Sequence, residues 1–136
     1  MTMWMKAVSG LPAFALFFST ALALTALYLT IYTLVTAHNE FTLIKRNVTA
    51  AATALGLSLI GFALPLASAV TFSTNIVEMI VWGLVALVVQ ITIYFIVRLL
   101  IPDLSQRIAA DEMSAALFLG AASLAAGIVN AASMTY

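Results

Sequence analysis

LIKRNVTAAATALG, residues 43–56, and RIAADEMSAALFLG, residues 107–120, are one pattern written twice. Ile44 falls on Ile108, Asn47 on Asp111, Ala51 on Ala115, Ala52 on Ala116 and Gly56 on Gly120, each 64 positions later. The register holds outward without a gap, residues 18–70 onto 82–134, and sets Asn39 on Asp103. Each copy is a long apolar run, a short polar patch and an apolar run rich in Ala, Gly and Ser. The pattern reads as two tandem helical hairpins, 1–72 and 73–136, together one integral membrane domain.

Composition agrees with that reading. Of 136 residues, 65% are hydrophobic and 7% charged, whereas soluble domains carry about 25% charged residues. Residues 7–37, 47–77, 79–97 and 113–136 hold no Asp, Glu, Lys or Arg. A helix needs roughly 20 residues to cross about 30 Å of hydrocarbon, so four crossings fit: about Pro12–Thr36, Val48–Val70, Ile76–Ile101 and Met113–Ser133. An outer-membrane barrel needs alternating segments of about 10 residues, and Ala21–Leu29 and Val81–Val89 do not alternate. The first apolar stretch is about twice the 7–15 residues of a signal h-region and reads as a retained span. The expected class is an all-α polytopic membrane protein with four transmembrane helices. Pro12 suits a first turn, Pro102 ends the third span, and Pro65 is expected to kink the second span or mark its frayed end.

Positive charge orients the spans. Lys45, Arg46 and Arg107 lie in the first and third loops, with Arg98 near the same boundary, against Lys6 alone on the other side. Those two loops are expected to be cytoplasmic and both termini periplasmic. Trp4, Trp82 and Tyr136 are expected in the aromatic belt of the periplasmic face and Tyr32 in the opposite one.

The second and fourth spans carry small residues four apart: Ala52/Gly56, Ala54/Ser58 and Ala63/Ala67, then Ala116/Gly120 and Ser123/Gly127/Ala131. Small residues let helices approach closely in lipid. Ala52, Gly56, Pro65, Ala116, Gly120, Ser123 and Gly127 are therefore candidate packing positions, within the chain or between protomers. Gln90, Arg98 and Asn130 are candidate intramembrane polar contacts, with Glu78 as an interfacial anchor. Asn47 and Asp111 stand where they would cap the second and fourth spans.

His38-Asn39-Glu40 is the densest polar cluster. One His and one carboxylate are too few for a metal site within one chain. With Lys45 and Arg46 the cluster makes a candidate partner surface. There is no cysteine, which excludes disulfides and thiolate sites. Net charge is zero with scattered basic residues, which argues against a nucleic-acid partner. No nucleophile–base–orienter set and no phosphate-binding loop is visible, so no catalytic, cofactor or metal residues are expected and the chain reads as a non-enzyme.

These same residues carry a resemblance over nearly the whole chain. His38-Asn39-Glu40, Leu43-Ile44-Lys45 followed by Asn47 and Thr49-Ala50-Ala51, Pro65-Leu66, Trp82-Gly83, Val97-Arg98-Leu99, Pro102 and the run Ala126–Thr135 resemble the YjfL-like family of small bacterial inner-membrane proteins, domain of unknown function 350. The resemblance implies a four-helix inner-membrane protein made of two family units and no known reaction. It also implies, through gene neighbours resembling phage-shock-A-like proteins and glutathionylspermidine-synthase-like ligases, an envelope-stress or polyamine-linked setting. The expected function is a homo-oligomeric, non-enzymatic membrane component or scaffold that presents its cytoplasmic loops to a protein partner. The rival expectation is a minimal oligomeric channel or transporter for a small solute or ion.

Overall fold

The computed structural model describes residues 2–134; Thr135 and Tyr136 lie outside the described residues, and with them the belt position expected of Tyr136. Seven helices follow in order: α1 (Met3–Val8), α2 (Leu11–Val35), α3 (Glu40–Lys45), α4 (Thr49–Phe72), α5 (Ile76–Leu100), α6 (Leu104–Ala109) and α7 (Met113–Ser133). Four segments are long and apolar enough to cross a membrane: Met3–Val35, which joins α1 to α2, and α4, α5 and α7. The chain is an all-helical, four-span membrane protein.

Local chemistry sets the helix ends. Asn75 Oδ1 accepts the Glu78 N–H at 2.9 Å and starts α5, and Asn39 Oδ1 accepts the Thr42 N–H at 3.2 Å and starts α3; both satisfy a donor the helix cannot. Ile101 leaves the helical region at φ −114° and ψ 106°, because the ring of Pro102 disfavours a helical residue before it. α4 neither ends nor frays at Pro65; it runs through to Phe72 with Pro65 buried.

Asn47 and Asp111 have roles other than those expected. Both have positive φ, 67° and 64°, and each closes the short helix that precedes it. Val48 N–H reaches Leu43 O at 2.9 Å and Asn47 N–H reaches Ile44 O at 3.0 Å; Glu112 N–H reaches Arg107 O at 3.0 Å and Asp111 N–H reaches Ile108 O at 3.0 Å. This is the left-handed helix stop that Asn and Asp tolerate better than other non-glycine residues. Neither α4 nor α7 has a side-chain cap from its own N-cap residue. Instead the Asp111 carboxylate crosses to α4 and accepts the Ala50 N–H at 2.8 Å, tying the start of α4 to the turn between α6 and α7. Asp111→Ala should cost about 1–2 kcal/mol, from the lost cap and from alanine at positive φ. Asp111→Asn should cost less than half as much. Denaturant unfolding of the purified chain in mixed micelles measures both.

α4 and α7 run parallel and form the centre, α5 lies against both, and α2 packs outside on α4 and α5. α4 turns Ala50, Ala54, Ser58, Gly61, Pro65 and Ala69 inward, while α7 turns Ala116, Gly120, Ser123 and Gly127 inward. The backbones touch at the glycines: a Cβ on Gly127 would collide with the Gly61 carbonyl, and one on Gly61 with the Ser123 carbonyl. Beside this contact Ser58 Oγ donates to Ser123 Oγ at 3.2 Å.

The small-residue stripe expected on the second span is therefore split between two faces. Ala116, Gly120, Ser123 and Gly127 pack within the chain, whereas Ala52 and Gly56 are exposed and a Cβ on Gly56 would meet nothing. Gly120 by contrast lies under Leu57. α4 offers α7 the Ala54–Ser58–Gly61 face, which leaves the Ala52–Gly56 face pointing away.

Candidate functional site

Two polar clusters lie inside the bundle. The deeper one follows from a missing donor. Pro65 has no N–H, so the Gly61 carbonyl four residues earlier loses its helical partner. The Gln90 amide of α5 supplies a replacement, donating from Nε2 to Gly61 O at 3.1 Å and to Ser123 O at 3.0 Å. Gln90 is 1% exposed, and its Oε1 has no partner within the chain. Tyr28 of α2 adds an O–H donation to Ser58 O at 3.4 Å. One amide thus holds three helices together at mid-membrane.

The second cluster lies at the end of the bundle that carries α3 and α6. α2 places Tyr28 and Tyr32 one turn apart, facing inward. The Tyr28 ring stacks on Phe62 at 4.5 Å, and the Tyr32 ring meets Tyr94 of α5 edge-on at 5.7 Å. Tyr32 is 1% exposed, so it belongs to this interior column and not to the belt expected for it. One turn on, Thr36 ends α2 and donates its hydroxyl to Glu40 Oε1. His38 Nε2 stands 3.3 Å from the same oxygen, near enough to feel its charge but without hydrogen-bond alignment. Ser105 of α6 accepts the Ala37 N–H at 3.3 Å and lies 3.3 Å from the Tyr94 hydroxyl, which fastens the loop onto α5 and α6.

Burial governs the charge state of this cluster. It pushes the Glu40 carboxyl above the ordinary carboxylate value, opposed by the Thr36 hydroxyl and by Glu40's own backbone N–H. It pushes the His38 imidazole below its ordinary value. Each group is driven toward its neutral form because desolvation penalises the charged one. Both His38 ring nitrogens and Glu40 Oε2 are buried without a hydrogen-bond partner in the chain, while the Tyr32 hydroxyl turns toward Ser58 of the deeper cluster.

The surface expected from His38, Asn39, Glu40, Lys45 and Arg46 is therefore divided. Asn39, Lys45 and Arg46 are exposed, but Glu40 is 1% exposed and His38 9%. The cause is local: Asn39 starts a helix that points its first residue, Glu40, back at Thr36. His38 lines two recesses. One of about 460 Å³ is shared with Asn39, Thr42, Arg46, Ser105 and Gln106; one of about 360 Å³ is shared with Thr33, Ala37, Asn39, Glu40 and Phe41.

Arg98 is exposed and lines a recess with Ala37, Asp103, Ser105 and Gln106, at the edge of the second cluster. Asn130 is half-buried in a groove between α5 and α7, its Nδ2 without a partner in the chain. Glu78 accepts the Thr74 hydroxyl at 2.9 Å, near the start of α5. Gly61, Tyr28, Tyr94, Thr36 and Ser105 escaped the sequence reading. A signal for the first existed, since Gly61 precedes Pro65 by the four residues that define a lost helix bond.

Four apolar spans, two short loop helices and polar groups turned inward define a small polytopic membrane protein. The chain belongs to the domain of unknown function 350 (DUF350) family, whose profile matches residues 6–134. Among curated relatives, the UPF0719 inner membrane protein YjfL of Escherichia coli (strain K12) is 41% identical over 132 residues, 97% of this chain and 100% of the relative. The UPF0719 inner membrane protein YjfL of Escherichia coli O157:H7 matches to the same extent. The chain is an inner membrane protein of a family without an assigned activity. No solved structure matches it.

Proposed function

We propose that this protein is a non-enzymatic, homo-oligomeric component of the inner membrane, a scaffold built from two tandem hairpins, 1–72 and 73–136. The open face of α4 carries this reading: mid-span, Gly56 has empty space where a side chain would sit, while its counterpart Gly120 is covered by Leu57. The stripe that packs in α7, Ala116, Gly120, Ser123 and Gly127, corresponds to Ala52, Gly56, Leu59 and Ala63 on α4. The α4 stripe that receives it, Ala54, Ser58 and Gly61, corresponds to Phe118, Ala122 and Ala125 on α7. Ala52, Gly56, Ala63, Phe118 and Ala125 are exposed. The α4 face of one protomer therefore suits the α7 face of the next, a head-to-tail contact that closes a ring when its rotation allows.

The chain has no cysteine, so two introduced thiols report on this contact without background. Gly56→Cys and Ala122→Cys on separate chains, coexpressed in native membranes, should cross-link on oxidation more strongly than either variant alone. Absence of any cross-linked dimer would overturn the reading.

In the same proposal α3 and α6 face the cytoplasm and both termini the periplasm, and Asn39, Lys45 and Arg46 offer a polar surface to a cytoplasmic partner in an envelope-stress or polyamine-linked system. A C-terminal alkaline phosphatase fusion should be active, and an inactive one reverses the topology. A second reading, a minimal channel or transporter for a small solute or ion, draws on Gln90 Oε1, buried without a partner beside Ser58 and Ser123. α4 and α7 touch backbone to backbone there, so a path would run between protomers. Liposome flux sensitive to Asn130→Leu would favour it.

A further inference from the structure

The recess of about 460 Å³ between the first loop and α6 has a wall of one electrostatic sign. Arg46 contributes a guanidinium, Asn39 and Gln106 contribute amides, Thr42 and Ser105 contribute hydroxyls, and no carboxylate lines it. Its volume falls within the range of about 300–1,000 Å³ usual for small-molecule sites. Arg46 takes part in neither of the ion pairs among the described residues, His38–Glu40 and Arg107–Glu112. Asn39 uses its side-chain oxygen to accept the Thr42 N–H at 3.2 Å, which leaves its Nδ2 donors for another acceptor. The charges around the recess do little to oppose an anion. His38 belongs to the same wall, and its Nε2 stands 3.3 Å from Glu40 Oε1, but Glu40 lines the other recess and burial drives its carboxyl toward the neutral form. Arg98 and Asp103, of opposite sign, line the adjoining recess that shares Ala37, Ser105 and Gln106. Lys45 is exposed and lies outside the wall.

We propose that this recess binds a phosphate group through Arg46, Asn39 and Gln106, with the hydroxyls of Thr42 and Ser105 beside them. The guanidinium fork suits two phosphate oxygens at once, and the amide N–H groups suit the rest. Phosphate oxygens point in several directions, and the donors likewise come from three places: the loop, α3 and α6. A planar carboxylate would fill the Arg46 fork and leave the α6 side of the recess unused. A metal cation is unsuited, because a guanidinium repels it and no carboxylate in the wall attracts it. The recess lies where the spans meet the loops, at the depth of lipid headgroups, and basic pockets at that depth hold anionic headgroups. The same donors would hold a soluble phosphate. The recess is built from one chain, so its test depends on neither an oligomer nor a protein partner.

The full chain, in dodecyl maltoside micelles and Tris chloride at constant pH and ionic strength, is titrated with dioctanoylphosphatidylglycerol or with inorganic phosphate. Dioctanoylglycerol is the control that lacks phosphate. The phosphorus magnetic resonance of the added compound measures binding. The labelled imidazole of His38, the one histidine in the sequence, reports whether binding occurs at the recess. At least one phosphate should bind saturably and move the imidazole signal, and dioctanoylglycerol should leave it in place. Arg46→Gln should weaken binding roughly tenfold or more, as expected for loss of a charge-assisted bond. Gln106→Ala should weaken it roughly two- to fivefold. Both residues are exposed, so the fold stays intact. Lys45→Gln, one residue away but outside the wall, should change affinity less than about twofold, since solvent screens an exposed charge. Binding of the phospholipid alone assigns the site to a lipid headgroup, and binding of inorganic phosphate assigns it to a soluble phosphate. No saturable binding of either, binding that leaves the imidazole unmoved, full affinity in Arg46→Gln, or an equal loss in Lys45→Gln would overturn the site.

Discussion

Gly127→Leu should separate α4 from α7 and cost about 3 kcal/mol or more, at or beyond the upper end of the usual range for overpacking. The reason is what the new side chain meets. At most buried positions an added group pushes on a neighbouring side chain that can change rotamer. Here its first carbon meets the backbone carbonyl of Gly61, and the helix carrying that carbonyl cannot yield at one residue. The damage also spreads, because Gln90 bonds both Gly61 O and Ser123 O and needs the two helices at their present separation. Lipid offers no hydrophobic drive to restore contact once close packing is lost. Gly56→Leu, in the same helix as Gly61, should change the stability of the single chain by no more than about 0.5 kcal/mol. It should nevertheless weaken association between protomers if the open α4 face is their contact. Unfolding by sodium dodecyl sulfate in mixed micelles, followed by tryptophan fluorescence, gives the first quantity, and native mass spectrometry gives the second. A Gly127→Leu chain as stable as the wild type would refute the backbone contact.

The span boundaries were legible because they depend on counts: charge-free length, a proline, and a polar residue before an apolar run. Asn75 and Pro102 each act on the residues beside them, and the sequence holds those residues in order. The interior was legible only where a residue admits one role. Gln90 in the middle of a span has to bond something, but the sequence does not say that its partner is the carbonyl Pro65 leaves without a donor. Ala52/Gly56 and Ala54/Ser58 have the same spacing and are all small residues. They lie on different faces of α4, and only the position of α7 distinguishes the packed pair from the open one. His38 and Glu40 looked like surface residues because polar residues in short loops usually are. The burial of Glu40 follows from its place as the first residue of the six-residue helix α3, which begins at the Asn39 side-chain cap. Asp111 was misread for the same reason: its carboxylate serves the helix beside it in space, and the next helix in sequence begins without it.

Gln90→Leu should cost about 2–3 kcal/mol, and its cost should depend on Pro65. Leucine fills much the same volume and suits a membrane interior, so packing alone predicts little loss. The penalty comes from the Gly61 carbonyl, left buried in a low-dielectric interior with neither a helical donor nor an amide, where an unsatisfied backbone group is expensive. Ser123 O is less affected, because the N–H of Gly127 stands four residues on in a regular helix. Pro65→Ala returns an N–H to α4 and lets the helix satisfy Gly61 itself. In that background Gln90→Leu should cost at least roughly 1 kcal/mol less, a coupling of the size expected for groups that share one partner. The double-mutant cycle separates two accounts of the same contact. If Gln90 serves the carbonyl orphaned by proline, the two substitutions are coupled. If it is a spacer between α5 and the α4–α7 pair, they add within about 0.5 kcal/mol, and Pro65 and Gln90 are then independent features of a bundle held together by its glycines.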